Sequence, residues 1–172
     1  LLINNKKEYM SHLPIGTVLK SSEHSYVVVA VLGEGGFGVT YKVTSIRKVG
    51  NVEARCTFAM KELFISDWCE READGKGVTY SNPLKEKVEN SKLDFLAEAR
   101  RLQQVLHSSI ISVDEVFEAN NTAYYVMEYV PGYPLSHIMQ SFENSVESYV
   151  ALPLHVRLQI VDQLCVAIIN LH

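Results

Sequence analysis

Apolar and polar residues alternate along the first half of the chain in a way that predicts β-strands. Residues 26–32 and 39–46 are rich in β-branched and aromatic residues, which favour strands. Six residues, four of them glycine, separate the two runs. Strand, short glycine turn and strand together predict a β-hairpin. A turn at residues 48–51 and a third strand over residues 53–63 follow.

The second half of the chain combines helical and strand patterns. After residues 65–81, here called the spacer, Asn82-Pro83 predicts a helix start. Apolar residues then recur at spacings of three and four up to Leu106, which predicts one helix, or two helices broken near Asn90-Ser91. The spacer itself is charged and contains glycine, which predicts a loop.

Two strands, one short helix and one long helix complete the predicted elements. The strands cover residues 111–118 and 123–129, and the turn Asn120-Asn121 joins them. The short helix covers residues 135–142, and Pro153 opens the last helix. Apolar residues of the last helix cover more than one stripe, so this helix needs packing partners on several sides.

Composition excludes several classes of function. The 172 residues suffice for one domain, and a net charge of −4 gives no general argument for a nucleic-acid or anionic-membrane partner. The three cysteines form no C-x-x-C pair and the six histidines no H-E-x-x-H, so we predict no metal site and a reducing, cytoplasmic setting. No signal peptide is visible, and polar residues in the apolar segment 152–171 predict a soluble helix, not a membrane span.

The glycine run Gly33-x-Gly35-x-x-Gly38 is the first candidate for chemistry. Alone it is a weak signal, because two unrelated phosphate-binding devices use the same spacing. A dinucleotide-binding unit has a helix after the glycines, whereas a kinase-type cover has a strand, and residues 39–46 predict a strand. A purely structural hairpin, in which the glycines only supply positive φ, stays open at this point.

Lys61 and Glu98 form the second candidate. Lys61 lies mid-strand, and a lysine there is either solvated or held against an anion such as a phosphate. An ammonium beside a buried pocket needs a partner. Glu98 precedes Leu102 by four residues and so shares its helix face, which makes it the candidate partner.

Taken together, these motifs resemble the N-terminal part of a protein kinase. The glycine run matches the glycine-rich loop, Phe58-Ala59-Met60-Lys61 matches the V-A-I-K strand, and Glu98 falls where the glutamate of the family's helix αC belongs. The details look most like bacterial Ser/Thr kinases. The resemblance implies an α+β fold: a kinase-like N-lobe with a five-stranded antiparallel sheet and helix αC, followed by the C-lobe helices αD and αE. It divides the chain into a lead-in (1–25), an N-lobe (26–130) and a hinge exit with a partial C-lobe (131–172).

The resemblance also implies roles at single positions. ATP is the expected cofactor. Leu32, Thr40 and Ala59 would form an apolar roof over the adenine, and Met127 would be the gatekeeper at the back of the pocket. The backbone of Glu128 and Val130 would bond the adenine edge. The residues of the hairpin from Gly33 to Gly38 would cover the phosphates, Lys61 would hold them, and Glu98 would hold Lys61. The full set of nucleotide-binding candidates is Leu32, Gly33, Glu34, Gly35, Gly36, Phe37, Gly38, Thr40, Ala59, Lys61, Met127, Glu128 and Val130.

Departures from the family pattern set the functional expectation. Thr40 stands where a valine is usual, and Pro134 stands where many kinases place a ribose-binding carboxylate. The chain contains no H-R-D-x-x-x-x-N, D-F-G or A-P-E, so the catalytic base and the Mg²⁺ ligands are missing. Asp162 lies inside the last helix and does not replace them.

We therefore interpret the chain as a truncated Ser/Thr kinase that is inactive alone. Its parent would transfer the ATP γ-phosphate to protein hydroxyls with Mg²⁺. A pseudokinase or interaction module that acts as a scaffold is the alternative. Truncation would also expose the apolar face of the last helix and favour self-association.

Overall fold

The computed structural model describes residues 11–134 and 152–171. The chain divides into two compact units, Leu1–Gln104 with Val113–Tyr129, and Val105–Ser112 with Val130–His172. A six-stranded antiparallel sheet with the order β1-β2-β3-β4-β8-β7 forms the centre of the first unit. The strands are β1 (Val18–Lys20), β2 (Ser25–Gly35), β3 (Gly38–Val49), β4 (Val52–Leu63), β7 (Val113–Ala119) and β8 (Thr122–Glu128).

The structure corrects two predictions for this unit. The sheet has six strands and not five, because three residues of the predicted lead-in pair with β2 as the edge strand β1. The spacer is not an irregular loop, because β5 (Glu70–Arg71) and β6 (Val78–Thr79) pair within it as a second, two-stranded sheet. Two hydrogen bonds connect the spacer to the rest of the unit. The Val78 N–H donates to the Asn120 carbonyl at 2.9 Å, and the Asn121 side-chain amide donates to the Val78 carbonyl at 2.9 Å.

A single helix follows the spacer. A 3₁₀ turn at Asn82–Leu84 leads directly into α1 (Lys85–Gln103). The helix continues through Asn90-Ser91, so the two-helix alternative is wrong. Its buried residues are Val88, Phe95, Leu96 and Ala99, and their spacing places them on one face. This face packs against β7 and β8, where the Phe95 and Tyr125 ring centroids lie 5.0 Å apart.

The two faces of the sheet carry different side chains. Along β4, Met60 and Glu62 share one face, while Ala59 and Lys61 share the other. Met60 and Glu62 are fully buried, as are Tyr41 and Tyr124 on neighbouring strands. Spacer residues Cys69 and Val78 belong to the same buried cluster.

The second unit contains the predicted last helix, α2 (Leu154–Leu171), which begins one residue after Pro153. Its exposed apolar residues include Leu154, Leu158, Val161, Leu164, Ile168 and Ile169. The predicted short helix at residues 135–142 lies outside the described residues. None of the helices in the described ranges combines the length and the apolar character that a membrane crossing requires.

Candidate functional site

The glycine-rich hairpin joins β2 to β3. Gly35 pairs with Gly38, so the two residues Gly36-Phe37 make the turn, and the Phe37 side chain is 74% exposed. Strand β3 continues to Val49, which removes the dinucleotide interpretation because that device needs a helix there.

Packing against β4 accounts for one of the hairpin glycines and open space beside the backbone for the other three, whereas backbone strain accounts for none of them. The residues with positive φ are elsewhere, so none of the four hairpin glycines adopts a left-handed conformation. A Cβ on Gly38 would collide with the Glu62 carbonyl oxygen on β4, so this position is glycine for packing reasons. A Cβ on Gly33, Gly35 or Gly36 would meet nothing within 4 Å. These three glycines leave the backbone open to an incoming group.

Strand register brings four of the candidate residues onto one face of the sheet. Thr40 pairs with Lys61, and Ala59 pairs with Met127. Because side chains two residues apart on a strand share a face, Ala59 and Lys61 lie on the same side. We call Thr40, Ala59, Lys61 and Met127 the phosphate-side face. Leu32, the remaining predicted apolar contact, lies at a bulge between the paired residues Val31 and Gly33.

Lys61 and Glu98 do not form an ion pair in this structure, although both lie in the described residues. Glu98 is exposed, because the buried face of α1 is centred on Ala99 and places Glu98 on its flank. The Lys61 Nζ lies 5.7 Å from the centroid of the Tyr125 ring instead. Phe95 packs on that same ring, so an aromatic pair lies where the sequence predicted a carboxylate.

The predicted hinge residues fall in two units. Met127 is partly buried against the core and Glu128 is exposed, and both end strand β8. Val130 is exposed and belongs to the second unit. Next to them Lys42 Nζ lies 4.6 Å from the centroid of the Tyr129 ring, a cation–π contact that the sequence did not predict.

A buried ion pair that the sequence pattern did not predict lies directly behind the phosphate-side face. The side chains of Glu62 and Arg71 are 0% and 2% exposed and form a bidentate salt bridge. Tyr41 and Tyr124 donate to the Glu62 carboxylate, each at 2.7 Å. We call these four residues the Glu62–Arg71 network.

Every polar hydrogen of the Arg71 guanidinium has an acceptor. Two go to Glu62; the others go to the Ser11 carbonyl at 3.0 Å, the Lys76 carbonyl at 3.1 Å and the Tyr41 hydroxyl at 3.2 Å. Burial acts to lower the pKa of Arg71, but the Glu62 carboxylate outweighs burial and holds that pKa above its ordinary value. A buried arginine so completely paired remains charged.

A tight turn in the spacer places an acceptor beside the Arg71 guanidinium. Asp74 Oδ1 accepts from the backbone N–H groups of Lys76 and Gly77, at 2.8 and 3.0 Å, and these bonds lower the pKa of Asp74. Gly75 has φ +72°, which a residue with a side chain adopts only under strain. The resulting turn points the Lys76 carbonyl at Arg71 and closes the β5–β6 hairpin.

The buried tyrosines predict sensitivity to alkali. Burial raises the pKa of Tyr41 and Tyr124 far above the ordinary 10.0, and the Glu62 charge raises it further. Above about pH 10 the unfolded tyrosines lose protons that the folded ones keep, so the free energy of unfolding falls as pH rises. Urea unfolding at stepped pH should show this fall, with a shallower slope in the double variant Tyr41→Phe/Tyr124→Phe. Equal stability on both sides of pH 10 would contradict it.

Comparison with known proteins identifies the fold. No protein-family model matches the chain. PpkA-294 in its apo form superposes with a TM-score of 0.65 at 24% identity, over 76% of this chain and 43% of that one. One variant structure of the PknI kinase domain of Mycobacterium tuberculosis superposes with a TM-score of 0.60 at 20% identity, over 94% and 51%. This is the protein-kinase fold.

A curated relative agrees with the structural neighbours. The probable serine/threonine-protein kinase YbdM of Bacillus subtilis (strain 168) is 26% identical over 149 residues, which cover 87% of this chain. The chain spans about half of that protein, 46% of its length. The resemblance to bacterial Ser/Thr kinases is thereby confirmed, and it extends over part of a kinase domain.

Proposed function

We propose that this chain binds ATP as the N-terminal part of a Ser/Thr protein kinase. The observation that carries the proposal is the phosphate-side face, where strand register places Thr40, Ala59, Lys61 and Met127 together beside the open glycine hairpin. One charged and three largely apolar positions suit a nucleotide, whose base is flat and apolar and whose phosphates are anionic.

The residues present fit ATP in their chemistry. Backbone N–H groups between Gly33 and Gly38 can approach phosphate oxygens because three of these glycines have open space beside them. Lys61 is half-buried and has no carboxylate partner among the described residues, so its ammonium is available to an anion. In the active arrangement Glu98 would pair with Lys61, and the backbone of Glu128 and Val130 would bond the adenine edge.

Transfer of the γ-phosphate belongs to the parent protein in this proposal. The chemistry needs a base for the substrate hydroxyl and carboxylate or amide ligands for Mg²⁺. The sequence holds none of the motifs that supply them in protein kinases. The chain by itself therefore binds nucleotide without turnover, in a cytoplasmic setting that suits its three unpaired cysteines, Cys56, Cys69 and Cys165. In this proposal the protein substrate binds to the parent kinase.

Replacing Lys61 tests the proposal. We expect Lys61→Met to weaken ATP binding at least about tenfold, because hydrogen bonds to charged groups contribute roughly 1.5–3 kcal/mol. Calorimetric titration with ATP measures the affinity, and Lys48→Met, an exposed lysine on β3, is the matched control. A phosphotransfer assay on the same preparation should give no turnover above background. Equal ATP affinity in both variants, or turnover that Lys61→Met abolishes, would contradict the respective half of the proposal.

A scaffold function is the second candidate, and two observations favour it. Within the described residues Lys61 lies against the Tyr125 ring and does not pair with Glu98, and α2 exposes several large apolar side chains. Such side chains favour self-association or a protein partner. Undetectable ATP binding by the unsubstituted chain, together with a concentration-dependent increase in mass by light scattering, would favour this candidate over the first.

A further inference from the structure

The Glu62–Arg71 network is hard to explain as a source of stability. Moving two charges out of water costs about as much as their attraction returns, and apolar pairs of similar volume are often as stable. Glu62 and Arg71 are nonetheless almost completely buried, and both tyrosine hydroxyls are committed to the carboxylate. A fully satisfied polar network of this kind restricts a structure to one geometry.

Two residues of the network are direct sequence neighbours of residues on the phosphate-side face. Glu62 follows Lys61, and Tyr41 follows Thr40. Successive side chains on a strand point to opposite faces, so each pair shares a backbone while its side chains diverge. Glu62 is also the direct cross-strand partner of Tyr124. Fixing Glu62, Tyr41 and Tyr124 on one face fixes the backbone that carries Lys61 and Thr40 on the other.

The spacer supplies the centre of the network, and the residue just before the spacer contacts the hairpin. Arg71 bonds to the Ser11 carbonyl, Glu62 and Tyr41. Just before the spacer, Phe64 N–H donates to the Phe37 carbonyl at the hairpin tip at 3.4 Å. The Arg71 guanidinium carbon lies 4.6 Å from the centroid of the Phe64 ring. One arginine thus links the strand of Lys61, the strand that leaves the hairpin and the residue that contacts its tip.

We propose that Tyr41, Glu62, Arg71 and Tyr124 are positioning residues for nucleotide phosphates. From the covered face of the sheet, the network holds the backbone of Lys61 and of the glycine hairpin in one register. The spacer contains Arg71 and so forms the outer part of the network; its function in this proposal is to place Arg71 beside Glu62. The proposal deepens, and rests on, the proposed binding of ATP by Lys61 and the hairpin.

The double variant Glu62→Met/Arg71→Met tests the proposal. It removes the charges together and keeps long side chains, so no lone charge remains buried. We expect its dissociation constant for ATP to rise about tenfold or more, because a misplacement of about 1 Å can cost a group much of its effect. The control Arg55→Met removes an exposed guanidinium near the start of β4. It should stay within about twofold of the unsubstituted chain, because distant sites act independently.

A second readout does not depend on nucleotide. Amide hydrogen exchange of the ATP-free chain should accelerate over residues 38–41 and 59–63 in the double variant and stay unchanged there in Arg55→Met. All affinities are measured at a temperature where circular dichroism shows each variant folded. If the double variant does not fold, Tyr41→Phe replaces it, since this change removes one hydroxyl and retains the ring; the same directions are expected.

The outcomes separate this inference from the proposed function. Weaker ATP binding with faster local exchange supports both. Unchanged affinity and unchanged exchange in a folded double variant overturn the positioning proposal and leave ATP binding intact. If the unsubstituted chain binds no ATP, the proposed function fails; the exchange data then decide whether the network holds the register of the two strands, and unchanged exchange overturns that as well.

Discussion

We expect Arg71→Met to lower the free energy of unfolding by about 3–5 kcal/mol, the range for removing one partner of a buried ion pair. The loss follows from what remains behind. Glu62 is 0% exposed and would lose its cation, with only two tyrosine hydroxyls left as donors. The Ser11 and Lys76 carbonyls would lose their donor at the same time. Urea unfolding followed by circular dichroism gives the free energy.

A surface ion pair provides the matched control for this experiment. Lys92 contacts Glu89 at 2.8 Å and Glu118 at 3.1 Å; the Lys92 side chain is 14% exposed, but the two carboxylates are 37% and 54% exposed, so the charges remain in contact with water. Exposed pairs contribute about 0–1 kcal/mol, so Lys92→Met should cost no more than that. The double variant Glu62→Met/Arg71→Met should recover most of the stability that Arg71→Met loses. Equal losses for Arg71→Met and Lys92→Met would show that the buried pair is energetically ordinary.

Gly38→Ala should destabilise the fold by about 1–3 kcal/mol, the usual cost of forcing an extra carbon into a packed site. The new Cβ would collide with the Glu62 carbonyl, which is backbone and cannot move without disturbing β4. That displacement would reach Lys61 and Glu62 together. Both thermal unfolding and ATP affinity should therefore deteriorate in this variant.

Gly35→Ala separates packing from ligand access. Its Cβ would meet nothing within 4 Å, so the unfolding free energy should stay within about 0.5 kcal/mol, as for most surface substitutions. ATP affinity should fall nonetheless, because the methyl group occupies space that the phosphate oxygens would use. If Gly35→Ala unfolds as readily as Gly38→Ala, the distinction between the two glycines is wrong.

Much of the sheet could be predicted because its strands alternate clearly. The hairpin, the long strand of Lys61 and the pair β7–β8 all fall within a few residues of their predicted bounds. Edge strand β1 was missed because it has three residues inside a polar stretch with Pro14 and Gly16. The two-residue strands β5 and β6 carry no periodicity, and only their tertiary partners define them.

The candidate site, like the sheet, could be predicted only in part from the sequence. Strand register follows from alternation, so the meeting of Thr40 with Lys61 and of Ala59 with Met127 could be anticipated. The contact of Lys61 with Glu98 depends on how α1 is rotated, and the sequence pattern does not specify that rotation closely enough. One signal for the missed network was present. Glu62 continues the inward phase of Phe58 and Met60, and a carboxylate in that phase requires a buried cation.

The one-residue offset between Lys61 and Glu62 also bears on how the chain reaches its native state. A slip of β4 by one position against its neighbours would turn every side chain to the opposite face. Lys61 would then enter the covered side beside Arg71, where two cations would meet, and Glu62 would lose its partner. The electrostatic free energy of such a slipped sheet would be unfavourable, whereas the native pairing places the Arg71 guanidinium beside the Glu62 carboxylate. The buried pair therefore favours the native strand alignment over a one-residue slip.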